Sequence, residues 1–259
     1  MTAQIRWEQM KSAELRALAE ADAIVILPVG STEQHGPHLP VQVDALLATE
    51  VGRRAAQKVL PAEPVVVAPT VWCGLAEHHM DFCGTFTLDF PTFHALLRGL
   101  CRSIQRHGFR RVFLLNGHGG NITALSVICA ELVRELGGLR VVSGTYWTLN
   151  AVARRFAEIL EVQENVRHAG EAETSMLLAL HPEQVDQEAM RSADSTPELP
   201  FAGEGVSCWR SFRELSTNGV IGSPSAATAR KGEQLLEAAA SGIAALLQDP
   251  ELWRIPGSR

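Results

Sequence analysis

The amino-acid sequence predicts an α/β fold, a three-layer αβα sandwich with a mostly parallel central sheet. Three observations carry that expectation. Short apolar runs alternate with longer amphipathic ones along the chain. The short runs, such as AIVILPV at 23–29 and PVVVA at 64–68, are continuously apolar, as strands covered on both faces are. Strands interleaved with helices run mostly parallel and are joined by right-handed crossovers.

The elements follow in order. Residues 23–29 read as the first strand, and 44–59 (DALLATEVGRRAAQKV) place apolar side chains at helical spacing. Residues 64–68 are the second strand and 92–107 a helix. Arg111 to Leu115 form the third strand, 121–136 a further helix, and Leu139 to Ser143 the fourth strand. Helices are expected over 150–160, 171–180 and 228–247. The segment 191–227 holds Pro197, Pro200, Gly203, Gly205, Gly219, Gly222 and Pro224 with little periodicity, which reads as an excursion of loops. No repeat or low-complexity linker divides the chain, so one domain over residues 1–259 is expected.

The 259 residues are 46% hydrophobic and 20% charged, a globular balance with enough apolar mass for a buried core. The net charge is −6 and nothing suggests the clustered Lys and Arg that phosphate-backbone binding needs, so no nucleic-acid partner is expected. No apolar run approaches the roughly 20 residues of a membrane-spanning helix, and no membrane partner is expected. The amino terminus, MTAQIRWEQM, carries no secretory signal pattern. The five cysteines are odd in number, scattered and without a CxxC pair, and read as reduced, mostly buried thiols of a cytoplasmic protein.

Two polar clusters directly follow apolar strands. GSTEQHGPH, residues 30–38, follows the first, and NGHGGN, residues 116–121, follows the third. Open α/β sheets bind ligands in the crevice at the carboxyl ends of their strands, so the two clusters point to one shared site. Glu33 and His35 are two apart and project to the same side of an extended chain. Asp44, at the expected start of a helix, is either a ligand or a helix cap. Gly117, Gly119 and Gly120 surround His118 and allow close approach of the backbone. A phosphate cradle is disfavoured there, because the loop has no Lys or Arg and no Walker pattern.

Glu33, His35, Asp44 and His118 together make a mixed N/O donor set, which suits zinc, manganese or iron better than calcium. A carboxylate such as Asp44 can bridge two ions, and a bridged pair brings the pKa of a bound water to about 7. A third cluster, RHAGEAETS at 167–175, adds His168, Glu171 and Glu173. If the helix begins only after His168, as Gly170 suggests, Glu173 can turn toward the site. Otherwise the two acids sit near the positive end of a helix.

These residues resemble the creatininase (creatinine amidohydrolase) family. GSTEQHGPHLP with VDALLATEV resembles that family's first metal-binding block, NGHGGN its second and HAGEAETSMLLAL its third. HHMDFCGTFTL at 78–88 resembles a further family segment usually reading FPGT, with Cys83 in place of proline. The resemblance runs from about residue 7 to 247. It implies a three-layer α/β fold, two divalent metal ions, a small-molecule amide substrate and a homo-oligomer, often a hexamer. Carried over, Glu33, Asp44 and His118 hold one ion, and His35 and Asp44 the other. His168 matches the histidine that donates a proton or hydrogen bond to the reacting group, and Trp147 an active-site tryptophan. Trp147 is equally a core aromatic at a strand end.

Two positions depart from creatininase itself. A glutamate ligand two residues after the second-block histidine is Gly120 here, and Glu173 is expected to fill its place. A substrate-stacking tryptophan four residues before the third-block histidine is Glu164 here. The expected activity is therefore hydrolysis of a C–N bond in a small amide, formamide or cyclic amide other than creatinine, by a metal-bridging hydroxide. His168 would protonate the leaving nitrogen, oriented by Glu171, or by Glu173 if that acid is not a ligand. Within the family, ring opening of creatinine, deformylation of a formamido-pyrimidine nucleotide and peptide trimming of the mycofactocin type compete. A non-catalytic metal-binding paralogue is the reading from another class, favoured by Gly120.

Overall fold

Four parallel strands form the central sheet in the order β2-β1-β3-β4: β1 (Ile24–Val29), β2 (Val65–Val67), β3 (Arg111–Asn116) and β4 (Arg140–Thr145). A computed structural model describes residues 4–196 and 208–254. In the register, Ile24 lies between Val65 and Arg111, and Asn116 faces Thr145. Each strand matches its expected run to within two residues. The longer helices are α1 (Ser12–Glu20), α2 (Val43–Val59), α3 (Phe90–Arg106), α4 (Ile122–Glu135), α5 (Asn150–Ile159) and α6 (Glu171–Leu180). Two short turns, α7 (Gln187–Met190) and α8 (Phe212–Leu215), precede the long α9 (Ala229–Leu247) and a final turn, α10 (Pro250–Trp253).

The strands are apolar throughout because both faces are covered. Ile24, Ile26, Val65, Val67, Phe113 and Leu115 pack against α2, α5, α6 and α9. Val25, Leu27, Val29, Val66, Val112 and Leu114 pack against α1, α3 and α4 on the other side. This is the three-layer αβα arrangement expected from the sequence. Local signals set helix ends. Asp89 accepts from Thr92 N (2.8 Å) at the start of α3, where Pro91 fits the first turn, and Thr228 caps α9 through Lys231 N.

The strand order creates a switch point. From β1 the chain crosses by α2 on one face to β2, whereas from β3 it crosses by α4 on the other face to β4. The crevice between the carboxyl ends of β1 and β3 is therefore left open to a ligand. Residues 30–38 and 116–121 flank it.

Two expectations need correction. Only Cys73 and Cys101 are buried, Cys129 is intermediate, and Cys83 and Cys208 are exposed, so the thiols are not mostly buried. Within 191–227, residues 197–207 fall outside the described part. The remainder contains α8 and a bridge between Ser195 and Gly222 rather than loops alone. Helix α1 had no counterpart in the expected elements.

Phe113 is fully buried in the middle of the sheet. Phe113→Ala is expected to cost about 3–5 kcal/mol. This would be read as a lower urea midpoint at unchanged m-value; a loss under about 1 kcal/mol would contradict the packing.

Candidate metal centre

Glycine at two positions lets the crevice close around its polar residues. A Cβ on Gly117 would lie 2.7 Å from Asp44 O and 2.8 Å from Ala48 Cβ, so only glycine lets the end of β3 rest on the start of α2. The asparagines of the 116–121 loop then lock it. Asn116 Nδ2 donates to His118 O (2.8 Å) and Thr145 Oγ1 (2.9 Å), and Asn121 Nδ2 donates to Gly30 O (3.1 Å).

Glu33, His35, Asp44, His118 and Glu173 are all buried and meet in one place. Asp44 stands between the two histidines: its Oδ1 is 3.2 Å from His35 Nε2 and its Oδ2 is 2.8 Å from His118 Nδ1. Glu33 Oε2 adds a second carboxylate oxygen at 3.0 Å from His118 Nδ1. Glu173 Oε2 lies 3.7 Å from His35 Nε2. Asp44 does not cap α2, since Gln42 takes the cap position and no side-chain cap bond forms.

The tautomers explain what this arrangement needs. His118 Nε2–H donates to Leu75 O (3.0 Å), and His35 Nδ1–H donates to Glu33 O (3.0 Å). In a neutral ring the other nitrogen is then a lone pair. Both lone pairs face carboxylate oxygens, an arrangement that only a cation between them can stabilise. Glu33 Oε2, His35 Nε2, Asp44 Oδ2 and His118 Nδ1 are buried without a hydrogen-bond partner of proper geometry among the described residues. Without an ion the cation must be a proton. Burial opposes it, but Asp44 and then Glu173 and Glu33 carry the His35 pKa up to about 9. Burial likewise opposes the charge on His118, and Glu33 and Asp44 outweigh it, holding that pKa well above the usual value. Burial pushes Glu173 up to about 7 against the pull of His35, with Asp44 and Glu33 adding to the rise. Three buried carboxylates around two imidazoles, each imidazole fixed by a backbone carbonyl, fit divalent ions. The donor atoms of Glu33, His35 and Asp44 lie within 4.8 Å of one another, as do those of His35, His168 and Glu173.

His168 faces the same space, with its Nδ1 3.6 Å from Glu33 Oε1. Its Nε2–H donates to Gln34 O (2.8 Å), which leaves Nδ1 as the acceptor on the cavity side. Burial, then His35 and His79, push its pKa well below the usual histidine value. Helix α6 begins after His168, with Gly170 at its cap position, as expected. Glu171, however, does not orient His168. It accepts from the backbone N–H of Glu161 (2.9 Å), Val162 (3.0 Å) and Gln163 (3.2 Å) and from Lys231 Nζ (2.8 Å). Being fully buried, Glu171 anchors the loop that leads to the histidine. Glu173 accepts from Ala169 N (2.7 Å) and holds Ala169 in a left-handed turn (φ 52°).

Gly120 has no room for a side chain: a Cβ would lie 2.3 Å from Leu75 O and 2.4 Å from His118 Nε2. Trp147 is 8% exposed. It packs edge-on against Tyr146 within the core and also lines the cavity.

Residues not singled out from the sequence complete the site. His79 Nε2 is 3.1 Å from Glu33 Oε1. The Gln34 amide sets its tautomer, donating from Nε2 to Gly219 O (3.0 Å) and to His79 Nδ1 (3.0 Å) while Oε1 accepts from Gly36 N (2.9 Å). Phe212 stacks on His79 with centroids 3.9 Å apart and meets the His168 ring edge-on at 4.6 Å. The 78–88 segment was a signal for His79; nothing in the sequence pointed to Phe212. The whole opens into a cavity of about 380 Å³ that also reaches Trp209 and Arg210.

A family profile described as creatininase, creatinine amidohydrolase, matches residues 8–247. This chain belongs to the creatininase family. Among related proteins, a mycofactocin precursor peptide peptidase of Mycolicibacterium smegmatis is 34% identical over 234 residues, covering 88% of this chain and 86% of that protein. A creatinine amidohydrolase of Pseudomonas putida is 29% identical over 261 residues, covering 95% of each. A solved manganese creatininase superposes with a TM-score of 0.80 at 28% identity, covering 95% of this chain and 98% of that one. A variant creatininase of the Zn-Zn type gives 0.79 at 28% identity, with the same coverage.

Glu171→Ala leaves Lys231 without its buried partner and three N–H groups without an acceptor. It should destabilise the fold by about 3 kcal/mol or more in urea denaturation. Glu161→Ala, at the exposed end of the same lysine contact, should stay within about 0.5 kcal/mol. Equal losses in the two variants would refute the anchor.

Proposed function

We propose that this chain is a metal-dependent amidohydrolase that cleaves a C–N bond in a small amide, formamide or cyclic amide. One observation carries the proposal: two imidazole lone pairs, each fixed by a backbone carbonyl, face three buried carboxylates across a space that demands positive charge. Glu33, Asp44 and His118 would hold one divalent ion and His35, Asp44 and Glu173 the other, with Asp44 shared. The donor set is one that zinc, manganese or iron accepts. Such ions supply Lewis acidity, which makes hydroxide available at neutral pH and favours a developing oxyanion.

The chain's own residues do the rest. His168, neutral and with Nε2–H held by Gln34 O, presents Nδ1 as a base on the cavity side. It takes the proton of the attacking water there and returns it to the leaving nitrogen, which then departs as a neutral amine. Gln34 fixes His79, and His79 fixes Glu33, so the carboxylate is held from behind. Trp147 and Phe212 give the substrate an aromatic wall. Glu164, where creatininase has a tryptophan, argues against creatinine. The whole catalytic unit is read as one domain that works as a homo-oligomer.

A second reading, trimming of a short peptide, is favoured by the 34% identity to the M. smegmatis peptidase. A substrate panel separates the two, because release of formate, creatine or a dipeptide are different signals.

Elemental analysis should find two divalent ions per chain, and His118→Ala should lose metal and turnover together. Full activity with metal retained in that variant would refute the ligand assignment. One ion or none, with no turnover on any amide, would instead support a non-catalytic paralogue. The metal-free His35 pKa of about 9 sets a further expectation. Loading metal at pH 8 displaces protons, so calorimetric heats in two buffers of different ionisation enthalpy should differ. Affinity should weaken as pH falls toward 6, where protons compete for the same nitrogens. Heats independent of buffer would show that the ion displaces no proton from His35.

A further inference from the structure

We propose that Arg210 is an anion subsite of this cavity, so that the amide substrate carries a free carboxylate; this rests on the amidohydrolase reading above. Arg210 is the single Lys or Arg among the described residues that line the cavity. Its Nε is buried and has no hydrogen-bond partner among the described residues. A buried donor left unmade costs roughly 1–3 kcal/mol, and more when charged, unless something binds it. Arg140 also has orphaned nitrogens, but it sits at the amino end of β4, away from the crevice, so it shares the orphan state without the cavity. Arg210 has both.

The surroundings say what would bind. The deep wall of the cavity carries Glu33, Asp44 and Glu173, and the arginine belongs to the segment that also lines it with Trp209 and Phe212. Trp209, the neighbour of Arg210 in sequence, is 67% exposed among the described residues. A ligand with one anionic end and one neutral amide is oriented by two anchors: the ion-binding acids leave the amide carbonyl its place at the deep wall, and the guanidinium holds the anionic end at the other. A single guanidinium presents a planar fork that matches a planar carboxylate. A phosphate usually gathers several cationic or N–H donors, and no second Lys or Arg lines this cavity among the described residues. About 380 Å³ suits an N-acyl amino acid or the end of a short peptide. The neutral cyclic amides that lack a carboxylate forgo this contact.

The test is a calorimetric titration of the metal-loaded protein with N-benzoylglycine and with its carboxamide, in wild type, Arg210→Met and Arg210→Lys. The acid should bind at least tenfold more tightly than the carboxamide in wild type. Arg210→Met should bring the two together, and Arg210→Lys should keep part of the difference. Equal affinities in wild type would overturn the proposal. So would a preference that survives in Arg210→Met, because the carboxylate would then sit on the ions. Inorganic phosphate binding more tightly than the acid, in an Arg210-dependent way, would overturn the carboxylate assignment. Hydrolysis of both compounds is followed in parallel. An Arg210-dependent binding preference with no hydrolysis of either compound or of any amide in the substrate panel leaves the subsite standing and removes the amidohydrolase reading. Hydrolysis without the preference does the reverse.

Discussion

Negative charge concentrated on buried side chains at the floor of a cavity is the constraint on which this structure turns. Glu33, Asp44 and Glu173 are each no more than 4% exposed and surround two imidazoles whose outward N–H groups are already committed to backbone carbonyls. Isolated carboxylates are not buried at tolerable cost; they are protonated, paired with cations or bound to metal. The rise of the His35 pKa and the rise of the Glu173 pKa are two expressions of the same deficit of positive charge. A pair of divalent ions would relieve both, and the surrounding hydrogen bonds are arranged to keep the donor atoms bare rather than to satisfy them.

The fold makes that concentration possible by bringing distant segments to one edge. β1 and β3 are adjacent and parallel, so chain separated by more than eighty positions emerges at the same height of the sheet. Helix α2 leaves one strand on one face and α4 leaves the other on the opposite face, which clears the crevice between them. Helix α6 then delivers Glu173 from a third direction, braced against α9 through Glu171 and Lys231. The ionisable pair behind the site and the ionisable cluster within it are thus opposite in kind. Glu171 has its charge answered by three N–H groups and an ammonium, and it holds structure. Glu33 and Asp44 each keep a carboxylate oxygen unanswered.

Much of this was legible in the sequence because it is local. The strands announced themselves by uninterrupted apolar runs, and the i, i+2 spacing of Glu33 and His35 already placed both on one side. Gly170 told correctly that α6 starts after His168, which freed Glu173 to turn inward. The same local view failed where contacts are long-range. Glu171 looked like a partner of His168 because it is three residues away, yet its partners are the 161–163 backbone and Lys231, sixty residues on. His79 and Phe212 reach the centre from a turn and from a segment without periodicity, and no spacing rule connects them to Glu33. Burial of cysteines follows from which face of which element each falls on, which a scattered set of five does not reveal.

Position 120 shows how tightly the cluster is packed. A glutamate at 120 would drive its Cβ into Leu75 O and the His118 ring, so the present backbone excludes a side chain there. That same closeness is useful. Leu75 O is the acceptor that fixes the tautomer of His118, and it can approach to 3.0 Å only because residue 120 has no side chain. The third carboxylate of the cluster stands on α6, where Glu173 fixes the left-handed turn at Ala169 and so the direction of His168. One acid on α6 thereby couples the candidate ligand set to the candidate base. A side chain introduced at position 120 would therefore displace Leu75 O and the His118 ring before it could add a ligand.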